Sequence, residues 1–383
     1  MRDIVNINHT DIKKKEDCTG CGACTYVCPK KAIKLHGDKE GFLEPLVDIE
    51  KCTECGLCVV NCHAKNEIKC TSMDYEQYAV KHRDEAVRAK SRSGGVFTAI
   101  SDYFLEKGGV VFGAVLNKEN FTVEHVCAHT PDERDRMCGS KYVQSNMKDT
   151  FLELEKQLNS GKKVLFTGTP CQVSAVAKIF KRDDYPNLLL CDFVCHGVPS
   201  EMLLSHYIRW CSQKYKGRVT DFLFRNKQRF SWESHVEDIT VQNRHIYSKK
   251  YAELFSKSVC LRESCYSCKY TTINRIADFT IADYWGIDQI LPEFNDGKGV
   301  SLLIARSESA KKIFNCIKVN LVYENTIEHE PTHYNLKRPT ARPTERTEFY
   351  EDLSSKGFGF VSQKYGDSAF LRRIRNRIFY NIR

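Results

Sequence analysis

The chain has 383 residues, 42% hydrophobic and 28% charged, with a formal net charge of +9. This length exceeds one typical domain, and no apolar run approaches the roughly 18 residues of a membrane-spanning helix. The N-terminus lacks the apolar core of a signal peptide, so we expect a cytoplasmic protein. Nineteen cysteines in clustered spacings favour metal centres over disulfides in a chain of this kind.

An internal cysteine repeat occupies the N-terminal part of the chain, with a short predicted hairpin between its two copies. Each copy has the spacing C-x2-C-x2-C-x3-C, in which three thiolates surround one cubane and the fourth serves the other cluster. Zinc, the alternative, usually takes two separated cysteine pairs. We therefore predict two [4Fe–4S] clusters, one held by Cys18, Cys21, Cys24 and Cys62, the other by Cys52, Cys55, Cys58 and Cys28. The repeat resembles a bacterial two-cluster ferredoxin, with His63 where that family usually has proline.

From Tyr78 onward the sequence alternates between strand and helix patterns. Series of strand–turn–helix units predict a partly parallel sheet covered by helices. The predicted strands are 110–116, 163–167 and 188–195, and the predicted helices are 96–107, 173–180 and 201–215. The segment 218–251 is typical of β-hairpins. Past Glu330 the chain is polar and proline-rich, which predicts a surface wrap before a basic final helix.

A second cysteine group has the spacing Cys260-x4-Cys265-x2-Cys268. Three thiolates leave a cubane one ligand short, so the fourth must come from elsewhere in the chain. Cys195, at the end of a predicted strand, is our choice, with Cys171 and Cys191 as alternatives. Unligated cysteines and zinc remain the competing interpretations of this group.

Several motifs occur in a characteristic order between about Tyr78 and Ala305. They are Ser93-Gly94-Gly95-Val96-Phe97-Thr98, Gly139-Ser140-Lys141-Tyr142-Val143-Gln144-Ser145, Gly168-Thr169-Pro170-Cys171-Gln172, Cys195-His196-Gly197-Val198-Pro199, Cys265-x2-Cys268 and Asp283-Tyr284-Trp285-Gly286. Together they resemble the coenzyme F420 hydrogenase/dehydrogenase beta-subunit family. One departure is Ala282, where the family usually has glycine.

The resemblance implies one FAD and one [4Fe–4S] cluster in the larger domain, so three clusters in all. It also implies an α+β fold class, with a bacterial-ferredoxin-like domain followed by a mixed α/β domain that binds flavin and iron–sulfur. We place the ferredoxin-like domain at 1–75, the beta-subunit-like domain at 76–330, and a C-terminal extension with a basic tail at 331–383.

The motifs also suggest how a flavin is bound. Gly94 and Gly95 at a helix start would let backbone N–H groups approach a pyrophosphate. Cys171, at a helix N-terminus, is a candidate reactive thiol or ligand, or a small residue packed on the flavin. His196 is a candidate proton relay, and a structural histidine is the alternative. The remaining candidate cofactor-binding residues are Ser93, Thr98, Ser140, Lys141, Tyr142, Gln144, Thr169, Pro170 and Asp283.

These features predict an FAD-dependent iron–sulfur oxidoreductase. It would transfer electrons between ferredoxin-type carriers and a two-electron carrier such as F420, or an organic substrate. The alternative is a non-catalytic electron-relay subunit of a larger redox complex. Expected partners are ferredoxin or another electron-transfer protein and a small molecule, with no nucleic acid. The basic tail, Phe370 to Arg383, offers a peripheral contact for an acidic partner or a membrane face, and a solvated helix is the alternative.

Overall fold

The computed structural model describes residues 16–68, 70 and 74–366. The two cysteine repeats form equivalent short helices, α1 (Ala23–Val27) and α2 (Leu57–Val60). Gly22 and Gly56 begin these helices with left-handed backbone, φ 78° and 72°, a conformation that glycine adopts without steric cost. The antiparallel hairpin predicted between the repeats is formed by β1 (Ile33–Gly37) and β2 (Leu43–Val47). We call residues 16–68 the ferredoxin unit.

The rest of the described chain is built on one large sheet and one small sheet. The strands are β3 (Glu76–His82), β4 (Val110–Leu116), β5 (Val123–Ala128), β6 (Val164–Gly168), β7 (Leu188–Phe193), β8 (Val219–Leu223), β9 (Glu237–Val241), β10 (Arg244–Ser248), β11 (Phe279–Asp283), β12 (Ser301–Ala305) and β13 (Leu321–Asn325). The large sheet has the order β13-β3-β12-β11-β7-β6-β4-β5, and the small one β10-β9-β8. Strands β4, β6, β7 and β11 run parallel. The predicted mixed α/β domain is thus confirmed.

Helices cover both faces of the large sheet. They are α3 (Glu85–Lys90), α4 (Val96–Glu106), α5 (Pro131–Asp135), α6 (Thr150–Asn159), α7 (Pro170–Ile179), α8 (Glu201–Lys214), α9 (Lys250–Ser256), α10 (Ile287–Ile290), α11 (Glu308–Ile317) and α12 (Arg346–Tyr365). Helix α7 begins three residues earlier than predicted, because Pro170 is favoured in a first helical turn. This places Cys171 inside the first turn, at the carboxyl end of β6.

Separate apolar clusters fill the space around the sheet. One joins α4 and α11 to the sheet, and another joins α6 and α7 to its other face. The second cluster includes Ala23 of the ferredoxin unit, and Tyr26 stacks on Phe151 with ring centroids 5.6 Å apart. The ferredoxin unit is therefore packed against the α6–α7 side of the larger domain.

The segment after Glu330 is not the surface wrap that its composition suggests. Helix α12, interrupted at Gly357 by non-helical backbone, packs on α8 and α9 in a core rich in aromatic residues. Arg346 at its start is fully buried and pairs with Glu40 of the ferredoxin unit through contacts of 3.1 and 2.7 Å. The C-terminal part of the described chain thus joins the two units together.

Two further sequence expectations concern membranes and the chain end. Among the helices of the described ranges, none has the length and apolarity needed to cross a bilayer. The predicted basic tail, Phe370 to Arg383, lies outside the described residues.

Candidate redox site

The ferredoxin unit holds two groups of thiols. We call Cys18, Cys21, Cys24 and Cys62 the proximal set, and Cys28, Cys52, Cys55 and Cys58 the distal set. Burial, with repulsion from the other three thiolates of the proximal set, raises the pKa of Cys24 well above its usual value. All four distal thiols line one small cavity. The structure therefore brings together the same cysteines that the spacing groups.

A third group of thiols lies in the wall of a large cavity in the described chain, about 710 Å³ in volume. We call Cys171, Cys195, Cys265 and Cys268 the interior set. Burial, and then repulsion from the other three thiolates, raises the pKa of Cys195 well above its usual value. Four partly buried thiols that oppose one another's ionisation match a centre that supplies positive charge.

The interior set differs from the predicted ligand set at one position. Cys260 is fully buried in the aromatic core with Tyr251 and Tyr350, and it does not line the cavity. Cys171 lines the cavity instead, so the structure brings Cys171, not Cys260, to the other three thiols. The chain direction explains this, because Cys260 precedes the turn at which Arg262 N–H donates to Val198 O, and Cys265 follows it.

Gly197, two residues after Cys195 in sequence, shows how closely these segments approach. Its backbone has φ 133°, and a Cβ there would lie 2.7 Å from Leu261 Cδ1 and 3.2 Å from Cys265 Cβ. Only glycine meets both conditions without strain. The Cys-His-Gly motif thus packs the end of β7 against the segment that carries Cys265.

The three sets lie in series. Cys24 of the proximal set interacts electrostatically with Cys58 of the distal set, and Cys21 interacts with Cys171 of the interior set. His63, directly after a proximal cysteine, hydrogen-bonds Tyr270, two residues after Cys268. The order is therefore distal, proximal, interior.

Arg262 holds the proximal set against the cavity wall. Its guanidinium donates to Cys18 O at 2.7 Å, to Leu43 O at 2.8 Å and to Gln144 Oε1 at 2.9 Å. Gln144 Nε2 in turn donates to Thr19 O at 2.8 Å. The predicted flavin donor Gln144 therefore has its amide engaged between the two units, although it still lines the cavity.

The cavity brings together most of the predicted site residues and leaves out a few. Those that line it are Ser93, Gly95, Ser140, Lys141, Tyr142, Gln144, Thr169, Asp283, His196, Cys171, Cys195, Cys265 and Cys268. Gly94, Thr98 and Pro170 do not line it. Gly94 N–H donates to Ser301 Oγ at 2.9 Å, and a Cβ there would collide with Val80 O and Ser301 N. Gly94 thus serves close packing onto β3 and β12.

Two predicted residues have their polar groups occupied by the protein. The Lys141 ammonium donates to the carbonyls of Arg136, Met137 and Cys138 at 2.7–3.1 Å, and burial lowers the pKa of Lys141 to about 8. The His196 ring nitrogens lie 2.9 Å from Ser258 Oγ and 3.4 Å from Thr340 Oγ1. Both arrangements favour structural roles for these side chains. For His196, a structural role is the stated alternative to a proton relay.

Three polar side chains of the cavity wall, those of Arg92, Arg225 and His235, are absent from the residues predicted from the sequence, although they contact the predicted residues Tyr142 and Asp283. Arg225 donates to the Tyr142 hydroxyl at 3.1 Å, and His235 Nε2 lies 3.3 Å from the same hydroxyl. Arg92 Nη2 lies 2.8 Å from Asp283 Oδ2. Arg225 and His235 come from the connection between β8 and β9. No spacing in the hairpin-like segment marks them as site residues.

His125, also missed by the sequence motifs, is a cavity-wall residue with an unsatisfied ring nitrogen. Its Nε2–H donates to Thr167 O at 3.0 Å, and burial lowers its pKa to about 4, so the ring is neutral. The side chain is buried, and Nδ1 has no hydrogen-bond partner among the described residues. A buried acceptor without a donor costs roughly 1–3 kcal/mol, and a bound molecule could remove that cost.

Cysteine sets beside a large cavity in an α/β domain are the features of an iron–sulfur redox protein. Two models of the coenzyme F420 hydrogenase/dehydrogenase beta subunit match the chain, the N-terminal one over residues 77–151 and the C-terminal one over 161–330. A 4Fe-4S dicluster domain matches residues 17–66. The chain belongs to the coenzyme F420 hydrogenase/dehydrogenase beta-subunit family and carries an N-terminal [4Fe–4S] dicluster domain, which confirms the resemblance.

The individual proteins that the chain resembles are only distantly related to it in sequence. The chain is 28% identical over 163 residues to a coenzyme F420-dependent sulfite reductase of Methanocaldococcus jannaschii. That match covers 42% of this chain and 25% of the relative, so the chain spans about a quarter of that protein. A chain of the F420-reducing [NiFe] hydrogenase complex of Methanosarcina barkeri is 17% identical, with a TM-score of 0.49 over 73% of this chain and 90% of that one.

Proposed function

We propose that the chain is an FAD-dependent iron–sulfur oxidoreductase that transfers electrons between a ferredoxin-type carrier and a two-electron carrier or organic substrate. The observation that supports this most is the position of the interior set in the wall of the 710 Å³ cavity, in series with the two sets of the ferredoxin unit. Such an arrangement connects a surface to a cavity large enough for a cofactor.

The residues present fit a flavin in the cavity. Gly95 begins α4 with left-handed backbone and no side-chain cap, and Gly95, Val96 and Phe97 line the cavity. The helix therefore presents uncapped N–H groups, which favour a phosphate. His125 offers a neutral acceptor to an N–H of the ligand. Bound there, a flavin would supply the exchange between one-electron and two-electron steps.

The chain's own residues hold the cysteine sets in place and cover one side of the cavity. Arg262 and the His63–Tyr270 contact fix the proximal set against the interior set. The stacked rings of Trp232 and Trp285, with centroids 5.0 Å apart, lie where the β8–β9 connection meets the loop after β11. Trp285 lines the cavity, and Arg92 donates to Trp232 O, so this pair anchors the connection over one side of the cavity.

The distal set is the proposed entry point for electrons. Cys55 is the exposed member of that set, and the apolar side chains of Leu57 and Val60 are exposed beside it. We propose that a ferredoxin-type protein docks here, because exposed apolar side chains around a redox centre favour a transient protein contact. The family description and the name of the sulfite reductase make F420 a candidate for the two-electron carrier at the other end of the series.

The direct test is anaerobic quantification of iron, sulfide and flavin on the full-length protein. About twelve irons and one FAD per chain would support three clusters and a flavin. Stopped-flow mixing with reduced F420, NAD(P)H and reduced ferredoxin then identifies the donor, because only the true donor bleaches the flavin rapidly. About eight irons without flavin would overturn the proposal and favour an electron-relay subunit.

Replacing His125 with phenylalanine should weaken FAD binding about tenfold. Phenylalanine keeps an aromatic ring at this position, but the ligand loses the Nδ1 acceptor, and one hydrogen bond contributes about 0.5–1.5 kcal/mol. Titration of the flavin-free protein with FAD, followed by fluorescence quenching, measures the change. His36→Phe, on an exposed strand of the ferredoxin unit, is the control. An unchanged dissociation constant in His125→Phe would show that FAD does not use this acceptor.

Val60→Asp should slow reduction by ferredoxin about tenfold or more, while reduction by dithionite stays unchanged. The substitution puts a charge into the apolar surface beside the distal set, which weakens docking but leaves the thiols in place. Stopped-flow absorbance with both reductants measures the two rates. Val319→Asp, at another exposed valine far along the chain, is the matched control. Equal slowing by both variants would contradict a docking site at Val60.

A further inference from the structure

A group of potential metal ligands lies outside the cavity, where the edge strand β5 meets α6. Cys127 is on β5, His129 follows the end of that strand, and Glu153 is in α6. The Sγ of Cys127, the Nε2 of His129 and a carboxylate oxygen of Glu153 all lie within 4.8 Å of one another. None of the three lines the large cavity or belongs to the three cysteine sets.

The separation of the first two ligand atoms has the value that a tetrahedral metal requires. Cys127 Sγ and His129 Nε2 are 3.6 Å apart. Bond lengths of about 2.3 Å to sulfur and about 2.05 Å to nitrogen, at a tetrahedral angle, give an S···N edge of about 3.6 Å. Thiolate, imidazole and carboxylate together are a ligand set that Zn²⁺ accepts in proteins.

Neighbouring residues fix the backbone or the side chain of each of the three potential ligands. Cys127 is paired with Phe112 in the antiparallel ladder of β5 and β4. The N–H of His129 donates to Glu133 Oε2 at 2.6 Å, within the capping box that begins α5. Buried Gln157 donates its amide to Glu153 Oε1 at 2.6 Å. Of these contacts, the Gln157 amide orients a ligating group directly, and hydrogen bonds of that kind are a regular feature of metal sites.

The competing contact at this place is weak. Lys156 lies 3.4 Å from Glu153 Oε2, and its side chain is 72% exposed. An exposed ion pair of this kind contributes about 0–1 kcal/mol, so a divalent cation can displace the ammonium.

We propose that Cys127, His129 and Glu153 form a Zn²⁺ site, with water as the fourth ligand, that ties the edge strand β5 to α6. Binding deprotonates the Cys127 thiol and releases that proton to solvent, with no change of oxidation state. The site is independent of the flavin and the clusters.

The test is equilibrium dialysis of the untagged, anaerobically prepared full-length protein against micromolar Zn²⁺, followed by elemental analysis of zinc and iron. The wild type should retain about one zinc more per chain than the double variant Cys127→Ser/His129→Gln, with equal iron in both. The control Cys316→Ser/His329→Gln removes an exposed cysteine and an exposed histidine elsewhere and should keep the wild-type zinc content.

Two further variants complete the test. Gln157→Leu leaves all three ligands in place and should weaken zinc binding about 10- to 100-fold, because the Glu153 carboxylate loses its orienting amide. If the double variant loses iron, His129→Gln alone, at an exposed position, replaces it in the comparison. Equal zinc retention by the wild type and by iron-replete Cys127 or His129 variants would overturn the proposal.

Discussion

Cys171→Ala should lower the iron content from about twelve to about eight per chain, whereas Cys260→Ala should leave it unchanged. Cys171 lines the cavity and interacts with the thiols of Cys195, Cys265 and Cys268, while Cys260 is enclosed in the aromatic core. A cubane that loses one of four thiolates is not retained in full. Anaerobic iron and sulfide analysis, with electron paramagnetic resonance of the dithionite-reduced protein, measures the loss.

The two variants are controls for each other, since each removes one cysteine sulfur atom, from the cavity wall in one case and from the aromatic core in the other. In Cys171→Ala the proximal and distal sets should still give the signals of two interacting clusters, and flavin should no longer be reduced through them. The opposite pattern would be loss of iron from Cys260→Ala and retention of iron in Cys171→Ala. That result would support the ligand set suggested by the sequence spacing and would show that the interior set does not hold the cluster.

Arg346→Met should lower the free energy of unfolding by about 3–5 kcal/mol. The guanidinium, 2% exposed, donates to both carboxylate oxygens of Glu40 and to Leu261 O, and Glu40 is itself buried. Removing one partner of a buried ion pair leaves the other charge uncompensated, which is the costly change. Anaerobic urea denaturation, followed by tryptophan fluorescence and by cluster absorbance, measures the loss.

Two comparisons make this prediction specific. Arg342→Met removes a more exposed arginine, paired with Glu263 at 2.7 Å, and should cost less than about 1 kcal/mol. The double variant Arg346→Met/Glu40→Met should recover part of the stability, because no unpaired charge then remains. If the Arg342 and Arg346 variants lowered the free energy of unfolding equally, the buried pair with Glu40 would not stabilise the protein more than the exposed pair does.

The sequence was most informative where the chemistry is local. In the ferredoxin unit three ligands of each set fall within seven residues, so spacing alone groups Cys18 with Cys24 and Cys52 with Cys58. The α/β domain was also predictable, because the strand β4 and the helix α4 follow directly from apolar periodicity and turn residues. Identity at the family level came from motif order, and the family models confirm it.

The membership of Cys171 in the interior set could not be decided in the same way, and the sequence offered Cys171 only as an alternative to Cys195. Cys171 is 24 residues before Cys195, and only the parallel pairing of β6 with β7 brings the ends of these two strands together. Cys260 fits the spacing pattern, but a one-dimensional pattern does not show that the chain turns into the aromatic core before residue 262. The order of strands in the sheet brings this thiol to the cavity, and cysteine spacing does not reveal the order of strands.

The hydrogen-bond partners of individual side chains could not be predicted from the sequence either. Nothing in the sequence shows that Lys141 donates its three hydrogens to carbonyls, or that His125 keeps one nitrogen without a partner among the described residues. The polar composition after Glu330 suggested a surface segment, yet the few apolar residues of α12, such as Phe349 and Leu353, are fully buried. Average composition fails here because a single amphipathic face is enough to bury a helix.

The pair of Glu40 and Arg346 also orders events during synthesis, since its members are 306 residues apart. At about 5–20 residues per second, a ribosome needs roughly 15–60 s to travel from one to the other. During that interval the nascent ferredoxin unit has its cysteines but not the helix that joins it to the larger domain. Iron and sulfide can therefore be delivered to the ferredoxin unit before Arg346 of α12 fastens that unit to the larger domain through Glu40.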